Sequence, residues 1–71
     1  AEMSEISVTV NGETRSAPAG LTLSGFIAYL GLDPRKVAVE RNLEIAPRSH
    51  YDQVQVQSGD RIEIVHFVGG G

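Results

Sequence analysis

The chain has 71 residues, a net charge of −3 and no cysteine. That length holds one small domain, which buries only about 60% of the surface its unfolded chain exposes. Without cysteine there are no disulfides, thiolate metal sites, iron–sulfur clusters or cysteine nucleophiles, and two histidines are too few for a metal cluster. The six basic residues are scattered singly or in one pair. Phosphate binding needs them clustered, so the composition speaks against nucleic acid and for a protein partner. No apolar run approaches the roughly 18–20 residues of a membrane span, so no membrane role is read and the cytoplasm is the expected compartment.

Ile6, Val8 and Val10 alternate with Ser7 and Thr9, the period of a half-buried strand. Asn11-Gly12 follows, a strong hairpin signal because a tight turn needs positive φ at both central positions. Residues 13–17 are the expected return strand, ended by Pro18-Ala19-Gly20.

The period then changes. Leu23, Phe26, Ile27 and Leu30 stand at i, i+3, i+4 and i+7, one stripe of a helix. Thr22 is the expected N-cap and Gly31 the stop, with Pro34 shortly after. Gly25 weakens that helix by up to about 1 kcal/mol relative to alanine, and close packing on a sheet is one reason to keep it. Tyr29 lies off the stripe and is expected to be exposed.

Val37-Ala38-Val39 reads as a short strand, Arg41-Asn42 as its punctuation and Leu43-Glu44-Ile45 as its partner. Pro47 ends the pairing because it has no N–H to donate. Residues 47–51 read as irregular or 3₁₀, and Val54 and Val56 as a brief edge strand. Ser58-Gly59-Asp60 is a turn with Asp60 as its cap. Residues 61–67 alternate strongly, with Ile62, Ile64 and His66 on one parity, which turns His66 toward the edge of the core. Phe26 and Tyr51 read as core. The order is hairpin, helix, short strand pair and final strand. It predicts an α+β domain in which a mixed sheet of four to five strands packs on one main helix.

The feature that can carry chemistry is Gly69-Gly70-Gly71. Side-chain-free residues make a thin arm that another protein's narrow channel can admit. The group at its end is the Gly71 carboxylate, which becomes reactive when a nucleotide turns it into a mixed anhydride. A sulfur nucleophile can then displace AMP and leave a thiocarboxylate. None of this needs a catalytic side chain or a metal on the chain itself. A terminal glycine run alone reads more often as a frayed tail, and the strand of a β-grasp-like pattern directly before it brings the functional reading level with that one. Val65 and Phe67 fall on the strand face opposite Ile62 and Ile64, where they would form an exposed apolar patch that docks a partner. The expected organisation is a domain over residues 1–67 and a flexible tail over residues 68–71, with Val68, Gly69 and Gly70 leading to Gly71.

Several stretches together carry a resemblance to a known family. They are Val10-Asn11-Gly12-Glu13, Leu21-Thr22-Leu23, the run from Val37 through Asn42, Ile45-Ala46-Pro47-Arg48, the run from Gly59 through Val65, and Val68-Gly69-Gly70-Gly71. Their order and spacing resemble the ThiS family of sulfur carriers of thiamine biosynthesis. The resemblance implies a ubiquitin-like β-grasp fold and a carrier that is not itself an enzyme. It implies that a ThiF-type enzyme adenylates the terminal diglycine with ATP, here Gly70-Gly71, that no cofactor stays bound, and that a sulfur donor protein supplies the sulfur. The resulting thiocarboxylate would donate sulfur to a ThiG-type thiazole synthase. A molybdopterin synthase small subunit, a protein modifier joined through Gly71, and a plain interaction module with an inert tail remain alternatives.

Overall fold

The computed structural model describes residues 4–66. Five strands form one sheet: β1 (Glu5–Val10), β2 (Glu13–Pro18), β3 (Val37–Arg41), β4 (Glu44–Ala46) and β5 (Arg61–His66). Their spatial order is β2-β1-β5-β3-β4. β1 runs antiparallel to β2 and parallel to β5, and β3 runs antiparallel to both β4 and β5. The last strand therefore lies at the centre of the sheet, between the first and the third. This is the expected β-grasp arrangement.

One helix, α1 (Leu23–Tyr29), crosses one face. Its N-cap is Thr22, whose hydroxyl accepts from the Gly25 amide at 3.1 Å and so satisfies one of the four free N–H groups of the first turn. Gly31 follows the helix with φ +86°, the left-handed conformation that ends helices at low steric cost. Leu23, Phe26 and Ile27 are buried against Val8, Val10, Ala17, Val37, Val39, Ile62 and Ile64, as the two periodicities predict. Each such side chain contributes roughly 1.5–3 kcal/mol by leaving water. Tyr51 joins this core and satisfies its hydroxyl by donating to the Val37 carbonyl at 3.2 Å, while Tyr29 is exposed.

Three expectations need correction. Val54 and Val56 form no strand: the stretch makes only an isolated bridge, Thr22 with Gln55. Its backbone instead ties down the helix entry, with Leu23 N donating to Val54 O at 2.8 Å and Val56 N to Leu21 O at 2.9 Å. His66 is exposed despite its parity. β1 pairs with β5 only as far as Ile62, so no strand flanks His66 on that side. Gly25 is not a close-packing site against the sheet either. A Cβ there would meet Leu21 Cδ2 and Thr22 Oγ1 at an ordinary 3.5 Å, and both belong to its own helix entry. No helix among the described residues is long and apolar enough to cross a membrane.

Candidate functional site

The face of the sheet turned away from α1 carries a shallow apolar depression. Val65, Ala38 and Ile45 line it, together with Val39, Glu40 and Glu63. Strand register explains the grouping. Ala38 stands opposite Val65, and Glu40 stands between Ile45 on β4 and Glu63 on β5. Side chains alternate between faces, so burying Val37, Val39, Ile62 and Ile64 under the helix turns Ala38, Glu40, Glu63 and Val65 outward. Val65 is 62% and Ile45 78% exposed. Apolar side chains grouped this way on a small domain mark a contact surface.

The depression has an acidic border. Glu40 and Glu63 are direct cross-strand partners, and like charges in that position are unfavourable. Neither takes part in an ion pair among the described residues. A partner that brings a cation to this face relieves that repulsion.

Two polar constructions hold β5 in place. At its start, the Asp60 carboxylate is buried and accepts from Gln57 N at 2.8 Å, Arg41 Nε at 2.8 Å and Asn42 Nδ2 at 3.1 Å. Asn42 Oδ1 in turn accepts from Arg61 N at 2.9 Å. Burial alone would raise the Asp60 pKa. The donors from Gln57, Arg41 and Asn42 outweigh it and hold the carboxyl below its ordinary value. Asp60 thus caps its turn as expected, and it also ties that turn to the β3–β4 hairpin. Further along, the Asn11 side chain bonds both peptide groups of Ile64: Nδ2 donates to Ile64 O at 3.2 Å, and Oδ1 accepts from Ile64 N at 2.8 Å.

Of the residues expected at the site, Val65 is where its parity put it. Phe67, Val68, Gly69, Gly70 and Gly71 lie outside the described residues. Ala38 and Ile45 escaped the sequence reading. β4 is three residues long, too short for alternation to assign a face, and Ala38 is too small to stand out. The paired carboxylates also went unseen, because only the β3–β5 register reveals them. Among the described residues, no group of three or more His, Cys, Asp or Glu is placed to hold a metal ion.

Comparison with known proteins gives one consistent family. The profile of the ThiS family matches residues 8–71. The chain is 55% identical over 64 residues to a thiazole synthase of Paramagnetospirillum magneticum, a match that covers 90% of this chain and 20% of that protein. This chain thus spans about a fifth of that relative's length. It is 46% identical over 50 residues to the sulfur carrier protein ThiS of Bacillus subtilis, covering 70% of this chain and 76% of that one. Its fold superposes on the crystal structure of the thiamine biosynthesis protein ThiS from Geobacter metallireducens with a TM-score of 0.78 at 30% identity, covering 93% of this chain and all of the other. A family profile that runs from Val8 to the terminal glycines, and a solved ThiS structure that superposes over nearly the whole chain, place this chain in the ThiS family.

Proposed function

We infer that the chain is a sulfur carrier of thiamine biosynthesis and that its working group is the carboxylate of Gly71. The observation that carries this reading is the family match, which extends from Val8 through Gly71. The chemistry requires Gly71 to present a free carboxylate. That group attacks the α-phosphorus of ATP, pyrophosphate leaves, and an acyl-adenylate forms. Sulfur at the oxidation level of sulfide then attacks the acyl carbon and AMP departs, which leaves a thiocarboxylate. Adenylation and sulfur loading belong to a ThiF-type enzyme and a sulfur donor protein, and ATP is bound by the enzyme. The acceptor is a ThiG-type thiazole synthase. This partner is supported by the thiazole synthase relative, one fifth of which corresponds to this chain. Docking falls to the face that bears Val65, Ala38 and Ile45, because Val65 sits on the strand that leads to the glycines.

The test is direct because the chain has no cysteine. The protein is incubated with ATP, a ThiF-type enzyme and sulfide, then treated with a thiol-alkylating reagent and weighed intact. The expected product carries one alkyl group, confined to the C-terminal peptide. An unlabelled chain, under conditions where the same enzyme loads its own carrier, refutes the reading.

A further inference from the structure

Both hairpins of this sheet turn through two residues at positive φ. Between β1 and β2 these are Asn11 (φ +49°) and Gly12 (φ +86°); between β3 and β4 they are Asn42 (φ +54°) and Leu43 (φ +72°). Such a turn matches the twist of the strands it joins, and its second position suits glycine, which has no Cβ to crowd the backbone. Asparagine tolerates the left-handed conformation, whereas a bulky side chain is strained in it. Among the described residues every other positive φ belongs to a glycine or an asparagine. Leu43 is the exception, and nothing in the core offsets its strain. Its side chain is 76% exposed and does not belong to the apolar residues packed on the core. A strained residue that serves no contact inside the fold points to a contact outside it. Leu43 stands two residues before Ile45, which is 78% exposed and lines the depression with Val65 and Ala38. The hairpin tip thus continues the apolar face already assigned to docking.

Charge decides what can cover this face. Glu40 stands between Ile45 and Glu63, and neither glutamate is in an ion pair among the described residues. A second copy of the chain laid on the face would set two more carboxylates against these two. A partner with arginine or lysine at the rim of an apolar cleft relieves the pair and shelters the leucine at once. Gly69, Gly70 and Gly71 have no side chains for an enzyme to grip, so affinity has to come from the folded surface. We propose that Leu43 is an anchor of that surface, seated in an apolar cleft of the activating enzyme whose rim carries a basic side chain opposite Glu40 and Glu63. The proposal deepens the carrier reading above and rests on it.

Three variants test this. Leu43→Gly keeps the turn, relieves its strain and removes the anchor. Leu43→Asn leaves a polar side chain that the turn tolerates. Glu40→Gln combined with Glu63→Gln takes the charge from the face. Thermal unfolding checks each fold. Titration with the activating enzyme at low and high salt gives the dissociation constant, and loading with ATP and sulfide gives kcat and KM for the carrier. Both Leu43 variants should unfold no lower than wild type, bind roughly tenfold more weakly or worse, and load with a raised KM at unchanged kcat. The double glutamine variant should bind about three- to tenfold more weakly at low salt and lose most of the salt dependence. Unchanged affinity in Leu43→Gly overturns the proposal, and so does a lowered Tm, which would place the contacts of the leucine inside the domain. Affinity kept or raised in the glutamine variant overturns the basic rim. A wild-type dimer that Leu43→Gly dissolves would assign the leucine to a second copy and overturn the enzyme as occupant. A wild-type chain that accepts no sulfur sinks the carrier reading itself, whereas a working wild type matched by Leu43→Gly sinks only the role of Leu43.

Discussion

Replacing Asp60 by alanine removes the acceptor that joins two pieces of chain: the Gln57 turn, and the end of β3 with its hairpin at Arg41 and Asn42. A hydrogen bond to a charged group contributes about 1.5–3 kcal/mol net. Three such bonds cannot simply be added here. Gln57 and Asn42 are exposed and the Arg41 side chain is 29% exposed, so each recovers water once released. One to two bonds' worth, about 2–4 kcal/mol, is the expected loss. A chain of 71 residues has a total stability of roughly 4–10 kcal/mol. The variant should thus lose a large share of its margin, with Tm lower by about 8–32 °C at roughly 4–8 °C per kcal/mol. Urea unfolding at neutral pH, followed by circular dichroism, measures this. The pH dependence is a second check. The Asp60 pKa is lowered by folding, so its contribution is complete above the unfolded value near 3.8 and is lost as pH falls through the lower folded value. Wild type and variant should therefore converge in strong acid. A difference below about 1 kcal/mol at neutral pH, or one that persists unchanged in strong acid, refutes the account.

Asp33 accepts from Arg35 Nε, Nη2 and backbone N at 2.9–3.1 Å, and its carboxyl is lowered to about 2, first by the Arg35 side-chain bonds and next by the Arg35 amide. Carboxyl NMR titration should find that midpoint, and Arg35→Ala should move it up toward 3.8 without reaching it, because the backbone donor remains; an unmoved midpoint refutes the assignment. Leu43 is held at φ +72° and is 76% exposed. The left-handed conformation costs an ordinary residue roughly 1–2 kcal/mol, and glycine returns about half of that gain through its freer unfolded chain. Leu43→Gly should accordingly stabilise the domain by up to about 1 kcal/mol in thermal unfolding, and a lowered Tm would show that Leu43 makes contacts that repay its strain. Ile45→Ala should change stability by less than about 0.5 kcal/mol, given its exposure, yet weaken binding to the activating enzyme by roughly 1 kcal/mol or more in calorimetry; unaltered binding would move the docking surface elsewhere.

Strong periodicities made most of the fold legible. The alternation at Ile6, Val8 and Val10 with Asn11-Gly12 after it, the stripe of Leu23, Phe26 and Ile27 behind Thr22, and the alternation from Arg61 onward each correspond to an element of the structure. The errors fall where local pattern and tertiary partner part company. Val54 and Val56 have strand spacing, but their backbone is used by Leu21 and Leu23 and not by the sheet. His66 has core parity, but the strand that would cover it has already turned away. At the site, Val65 was legible from parity alone. Its neighbours Ala38 and Ile45 belong to other strands, and adjacency across strands is a property of register that no single stretch encodes. The clamp of Asn11 on Ile64 spans 53 positions and is hidden for the same reason: Asn-Gly is a sufficient signal for the turn, and nothing local shows the side chain in a second task.

The position of β5 has a kinetic consequence. The last strand in the chain is the middle strand of the sheet, so β1 and β3 have no common neighbour until residues 61–66 are available. The domain cannot assemble progressively from its N-terminus. Its decisive pairing joins positions more than fifty apart, which slows folding relative to a protein built from local contacts. During synthesis the early hairpin and helix must wait for the strand that precedes the glycines. Any partner that recognises the assembled sheet face will then engage only chains that have finished folding.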